Sequence, residues 1–167
     1  TAVHADMMEW NYEEPASTAA LQMLNTLFSV PQLSVRLKEI PADHLEMIRF
    51  YTAYWIQNRE VLLDGDFVAC QPLANYPLLY ATLDNKRIYA LYNDMVVPVD
   101  DAALTSIDVV NAKESGQVVL AAHHKKKITY RIYDCRGQLT REGTGTLKAG
   151  AHTFEVPPSG LLRITLR

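Results

Sequence analysis

The feature that most limits what this chain can fold into is a change of grammar at Asp64-Gly65. Before that turn signal, apolar residues recur at three- and four-residue steps, the period of a helix. After it, short runs rich in Val, Ile, Tyr and Thr alternate with turn residues, the pattern of an all-β region. A helical part must therefore join a sheet of many strands, and the expected boundary separates residues 1–63 from residues 64–167.

In the first part, Glu13-Glu14 precede Pro15, and Pro suits the first turn of a helix. Ala16, Ala20, Met23, Leu24 and Leu27 then mark one apolar face. Val30, Leu33, Val35 and Leu37 break that period and predict a short extended stretch. A second helix restarts at Pro41, with Asp43 placed to suit the helix dipole. Leu45, Ile48, Thr52 and Trp55 trace one line along it, widened by Met47, Tyr51 and Tyr54. The opening "TAVHADMM" reads as a strand.

In the second part, "YPLLYATLDNKRIYALYND" predicts two strands joined at Asp84-Asn85. "MVVPVD", "SIDVVNA", "GQVVLAAH", "KITYRIYDCRG", "TGTLKAG", "HTFEVP" and "LLRITLR" follow at short intervals. Such spacing predicts an antiparallel β-sandwich, and its length suits an independently folding unit.

With 49% apolar and 21% charged residues, the chain has the composition of a globular protein. Its net charge of −3 gives no overall attraction to nucleic acid or an anionic membrane. No apolar run approaches the ~20 residues of a membrane-spanning helix, so neither partner is expected. Cys70 and Cys135 make no CxxC and leave no second pair for a zinc site; they pair only if their strands face one another. No phosphate loop and no G-x-S-x-G elbow occurs, and no cofactor is implied.

The segments "HADMMEW", "EEP", "LFSVPQLSVRL" and "REVLLDGDF", in that order, resemble the end of the barrel in α-galactosidases of glycoside hydrolase family 36 and their close relatives. The resemblance implies an α+β fragment: the last βα units of a (β/α)8 barrel, followed by the sandwich. On it, "TAVHADMM" is similar to the seventh barrel strand and "FSVPQLSVRL" to the eighth, so a C-terminal fragment of a retaining glycosidase is expected, with the sandwich bracing the barrel. The family's nucleophile lies in a motif like Lys-Trp-Asp and its acid/base in a Ser-Asp motif. Neither occurs in this sequence. Retention needs two carboxyl groups ~5–5.5 Å apart, so both are expected upstream of Thr1, and the fragment alone is expected to be inactive. The resemblance also implies an oligosaccharide substrate for the parent protein.

Three residues are candidates for substrate contact: His4, Asp6 and Trp10. If "TAVHADMM" is a strand, Asp6 to Trp10 lie at its exit, and barrels bind ligands at the C-terminal ends of their strands. Asp suits hydroxyl recognition, and Trp offers a face to a sugar ring. No third ligand joins His4 and Asp6 to make a metal site. The barrel reading also leaves some of Met23, Leu27, Tyr51, Tyr54 and Trp55 facing absent units, which predicts either that the strand candidates abandon strand geometry and fold back on the sandwich, or that two copies associate through residues 1–62. The basic run His123–Lys127 reads as a solvated turn, without the interleaved aromatics of a single-strand binder. The competing reading is a non-catalytic carbohydrate-binding or structural sandwich with a helical lead-in.

Overall fold

The computed structural model describes residues 3–167. The chain begins β1 (His4–Met8), α1 (Ala16–Leu24), β2 (Val30–Leu33) and α2 (Ala42–Asp64). It continues through β3 (Asp66–Cys70), β4 (Leu78–Leu83), β5 (Lys86–Leu91), β6 (Val96–Pro98) and β7 (Ser106–Asn111). Then follow β8 (Gln117–Ala122), β9 (Lys126–Tyr133), β10 (Leu139–Leu147), β11 (Gly150–Glu155) and β12 (Leu161–Leu166). Pro15 and Pro41 both stand at the N-caps, with extended backbone. Their fixed φ suits the last residue before a helix, where no amide donor is needed.

The strands form three sheets. β1 and β2 pair by themselves; a seven-stranded sheet runs in the order β10-β9-β12-β7-β5-β4-β3; a three-stranded sheet runs β11-β8-β6. This overturns the barrel expectation. The described residues contain two α-helices and are mainly β, with no barrel of βα units. A barrel strand needs a neighbour on each edge, whereas β1 pairs with β2 and neither extends into another sheet. After α2 the chain does not add a strand beside β2 but turns directly into the edge of the seven-stranded sheet. Gly65 permits that sharp junction, since a Cβ there would collide with the Val61 carbonyl oxygen.

The sandwich is also not purely antiparallel. β5 runs parallel to β7, and β6 parallel to β8. The cause is the route of the chain, which leaves the large sheet after β5, lays β6 in the small one, and returns as β7. The expected hairpin is present: β4 and β5 pair from Leu78↔Leu91 to Leu83↔Lys86, and Asp84 adopts φ 52° in the turn.

The large sheet is a middle layer with a core on each side. Toward the small sheet lie Tyr89, Leu91, Val97, Ile107, Val109, Leu120, Ile132 and Leu162. Toward the helices lie Ile88, Ala90, Val110 and Leu161, packed with Leu24, Met47, Tyr51 and Tyr54. The near-continuous apolar runs of β5 and β7 follow, because a strand covered on both faces has no solvent side. The α2 residues buried in this contact include Met47, Ile48, Tyr51, Tyr54, Val61 and Leu62. Leu45, Thr52 and Trp55 instead flank it, half-buried. Trp55 donates its indole N–H to the Ser29 carbonyl (2.9 Å), which ties the helix to the loop before β2.

Four of the five residues expected to face absent units are covered within the chain. Met23, Leu27, Tyr51 and Tyr54 are buried inside the chain by its own sheet. The exposed apolar side chains of this part are Val3, Met7, Leu33, Leu37 and Ile56, of which Val3, Met7 and Leu33 lie on or beside the β1–β2 ribbon. Cys70 and Cys135 are free thiols packed against opposite cores, so they do not pair.

Candidate functional site

The ribbon of β1 and β2 positions two of the three candidate residues. His4 and Asp6 are both exposed, but the β1–β2 register is irregular between His4 and Met7 and pairs Met7, rather than Asp6, with Gln32, so the shared side expected for His4 and Asp6 is not kept. His4 Nδ1 lies 3.2 Å from Nε2 of Gln32 on β2, so the parallel pairing places one polar side chain beside His4. Asp6 Oδ1 accepts from the Met7 amide at 2.8 Å, which orients its carboxylate in the middle of β1. Met8, next along, turns inward and is buried, with the Thr26 hydroxyl against its sulfur at 3.1 Å. This surface can exchange hydrogen bonds with hydroxyl groups.

Trp10 is placed differently. It is half-buried, and its indole N–H donates to His44 Nδ1 at 3.0 Å. His44 is buried on α2, and its Nε2 sits 2.8 Å from the Glu14 carbonyl oxygen. If Nδ1 accepts, Nε2 must carry the proton, so the pair fixes one neutral tautomer. Trp10 thus joins the loop after β1 to α2 and to the entry of α1. Sequence reasoning missed His44, because a lone His on an apolar helix face carries no local signal of its partner thirty-odd residues away.

A second polar constellation lies under α2. Asp108 on β7 is buried, and its Oδ2 accepts from the Tyr54 hydroxyl at 3.1 Å. Lys86 Nζ lies 3.3 Å and Arg163 Nε 3.6 Å from the same oxygen. Lys86 also donates to Asn58 Oδ1 at 2.5 Å, and Arg163 to Gln57 Oε1 at 3.3 Å. Burial, followed by the Asp108 charge, pushes the Tyr54 hydroxyl well above its ordinary pKa. With α2 lying across it, this network fastens helix to sheet.

The basic run is only partly a turn: His123–Lys125 carry the chain from β8 in the small sheet to β9 in the large one, and Lys126 and Lys127 already belong to β9. The amides of His123 and His124 donate to Asp100 Oδ1 at 2.6 and 3.3 Å, and Lys126 Nζ reaches the Asp101 carbonyl at 3.0 Å. Burial alone would raise the Asp100 pKa, but these two amides and the nearby His123 and Lys126 hold it below the usual carboxylate range. Among the described residues, no cluster of three or more His, Cys, Asp or Glu is arranged to hold a metal ion. No family model and no curated protein matches this chain.

Proposed function

We propose that the chain is a bracing and substrate-edge module of a glycoside hydrolase acting on α-galactosides, with the reacting carboxylates supplied by polypeptide outside these residues. Two lines support this reading. The ordered segments from "HADMMEW" to "REVLLDGDF" resemble that family. The exposed His4–Gln32 pair, with Asp6 exposed on the same strand, is the single structural observation that favours sugar contact, because it offers hydroxyl-recognising groups on a ribbon tied to the helices. In this role His4 and Gln32 exchange hydrogen bonds with sugar hydroxyls, Asp6 accepts from another, and Trp10 holds the loop in place through His44. The network of Asp108, Lys86, Arg163 and Tyr54 keeps α2 on the sheet.

The test is an NMR titration of the chain with methyl α-galactoside, alongside an assay with an aryl α-galactoside. Millimolar shifts at His4, Asp6 and Gln32, weakened by Asp6→Asn, with no turnover, are expected. Shifts absent from these residues sink the sugar-contact role. Turnover abolished by Asp6→Asn would make the chain itself catalytic and overturn the bracing role.

A further inference from the structure

The helix layer covers only part of the large sheet. α2 crosses from Tyr133, where Phe50 packs at 6.2 Å between ring centroids, toward Lys86 at the start of β5. Beyond it, the lower halves of β10, β9 and β12 present an open face. Register places Glu142, Arg131 and Arg163 in one row across the three strands. The next row is Thr144, Thr129 and Thr165. In the last, Thr146 lies beside Lys127, which is paired with Arg167 through backbone bonds of 2.8 and 3.3 Å.

Two features of this grid are unusual for a merely solvated sheet. Arg131 stands directly opposite Arg163, and Lys127 directly opposite Arg167. Like charges in directly opposed positions destabilise a sheet, and this face does so twice within a chain of net charge −3. The carboxylates nearby are already engaged: Glu142 pairs with Arg131 at 3.1 Å, and buried Asp108 is shared among Arg163, Lys86 and Tyr54. Second, the face is hollowed rather than flat. A cleft of about 280 Å3 lies between Tyr133, Arg131, Arg163 and Arg167. A second, also about 280 Å3, runs on past Lys127 and Thr144, and the two meet at Thr129 and Arg167.

We propose that this groove binds an anionic oligosaccharide, one whose carboxylates meet the two cation rows and whose hydroxyls meet the threonine row between them. Four residues of strand separate Arg131 from Lys127, so the cation rows stand about 13 Å apart. Arginine forks match carboxylates bidentately, and threonine hydroxyls both donate and accept, as sugar hydroxyls do. Single-stranded nucleic acid fits less well, since bases need aromatic platforms. Tyr133 is half-buried against Phe50, and Tyr130 turns to the other side of the sheet against Phe154. An acidic peptide would leave the threonine row without hydroxyl partners. The groove is on a different element from His4 and Asp6 and stands independently of the function proposed above.

Calorimetric titration of the whole chain with tetragalacturonate at low salt tests the proposal. Its methyl ester, tetraglutamate and a short oligo-dT serve as parallel arms. Tetragalacturonate should bind, and its neutral ester should bind at least about tenfold more weakly. Arg131→Gln and Arg167→Gln, both exposed positions, should each weaken binding about tenfold while leaving the thermal melt in place. Raising the salt should weaken it further. No binding at millimolar tetragalacturonate, or binding indifferent to both substitutions, overturns the proposal. Tighter binding of tetraglutamate or oligo-dT overturns it in favour of a peptide or nucleic-acid ligand.

Discussion

The protein contains two parallel strand pairs next to helices, and they differ in nearly every other respect. In β5–β7, Ile88, Tyr89, Ala90, Leu91, Val109 and Val110 are completely buried, with a core on either side. In β1–β2, only Met8 is fully buried, and Met7 is 67% exposed. Parallel sheets are ordinarily covered on both faces, and a two-stranded sheet alone is marginal in water. The first pair is therefore held by its own packing. The second is held by what leaves it: Met8 inward, Trp10 to His44, and the Tyr12 hydroxyl accepting from the Arg36 amide at 2.9 Å. Position within the layers, rather than strand direction or helix content, decides how a pair is stabilised.

The largest test of this contrast removes the helix layer. A chain of residues 64–167 would leave Ile88, Ala90, Val110 and Leu161 without their cover. Loss of a cooperative melt and strong binding of a hydrophobic dye are expected, against the independent folding that length and strand spacing suggest. A sharp, dye-free transition would mean that the small sheet alone supports the large one.

Next comes the core of the buried pair. Ile88→Ala should cost about 2–5 kcal/mol in urea unfolding, from lost transfer energy and the cavity left behind. A cost below about 1 kcal/mol would place the pair in the same class as the ribbon.

Alkaline pH acts on the same interface. Burial raises the pKa of Tyr51, Tyr54 and Tyr92; the Asp108 charge adds to it at Tyr54, against a smaller opposing effect of Arg163, and Cys135 and Asp134 add to it at Tyr51. Tyr51 bonds the Ser159 carbonyl, Tyr54 bonds Asp108, and Tyr92 bonds the Leu24 carbonyl at 2.7 Å. Folded values above the unfolded ~10 favour the neutral hydroxyl in the native state. Their stabilisation is complete below about pH 10 and is lost as pH climbs through the raised values. Tyrosinate absorbance and loss of near-ultraviolet circular dichroism should therefore rise together. Ionisation near pH 10 with the fold intact would contradict the burial of these hydroxyls.

A single hydroxyl is a smaller perturbation. Tyr51→Phe leaves the Ser159 carbonyl without its donor beneath α2 and should cost about 1–3 kcal/mol. Ser159 also donates its hydroxyl to the Ser17 carbonyl at 2.6 Å, so the effect should reach α1 as faster amide exchange there. The smallest effect is expected in the ribbon, where Met7→Ala should stay within about 0.5 kcal/mol. A cost comparable to that of Ile88→Ala would show that something covers β1 in solution.

Much of the local structure was legible from residue order. Pro15 and Pro41 announced both helices, Asp84-Asn85 announced the hairpin, and each apolar run from "SIDVVNA" to "LLRITLR" became a strand. These are local signals, since capping, turn geometry and alternation act within a few residues. The edge strand β3 was missed: Asp64-Gly65 marks the turn before it, but "DFVAC" is short and is defined by its pairing with β4.

The sequence by itself determined where both helices and most of the strands and turns lie, though not β3 nor the early end of β2 at Leu33, and that the chain holds enough apolar surface for a core. Only the tertiary structure decided which sheet each strand joined, that β5 and β7 run parallel, and that Tyr51 and Tyr54 face the chain's own sheet rather than an absent neighbour. It also decided that Trp10 is tied to His44, while His4 stands beside Gln32. The opposed cations of β9 and β12 became visible only with their register. Periodicity states that a face is apolar or polar; it does not state what lies opposite. That is settled by contacts between residues far apart in sequence, whose energies depend on mutual fit rather than on either segment alone.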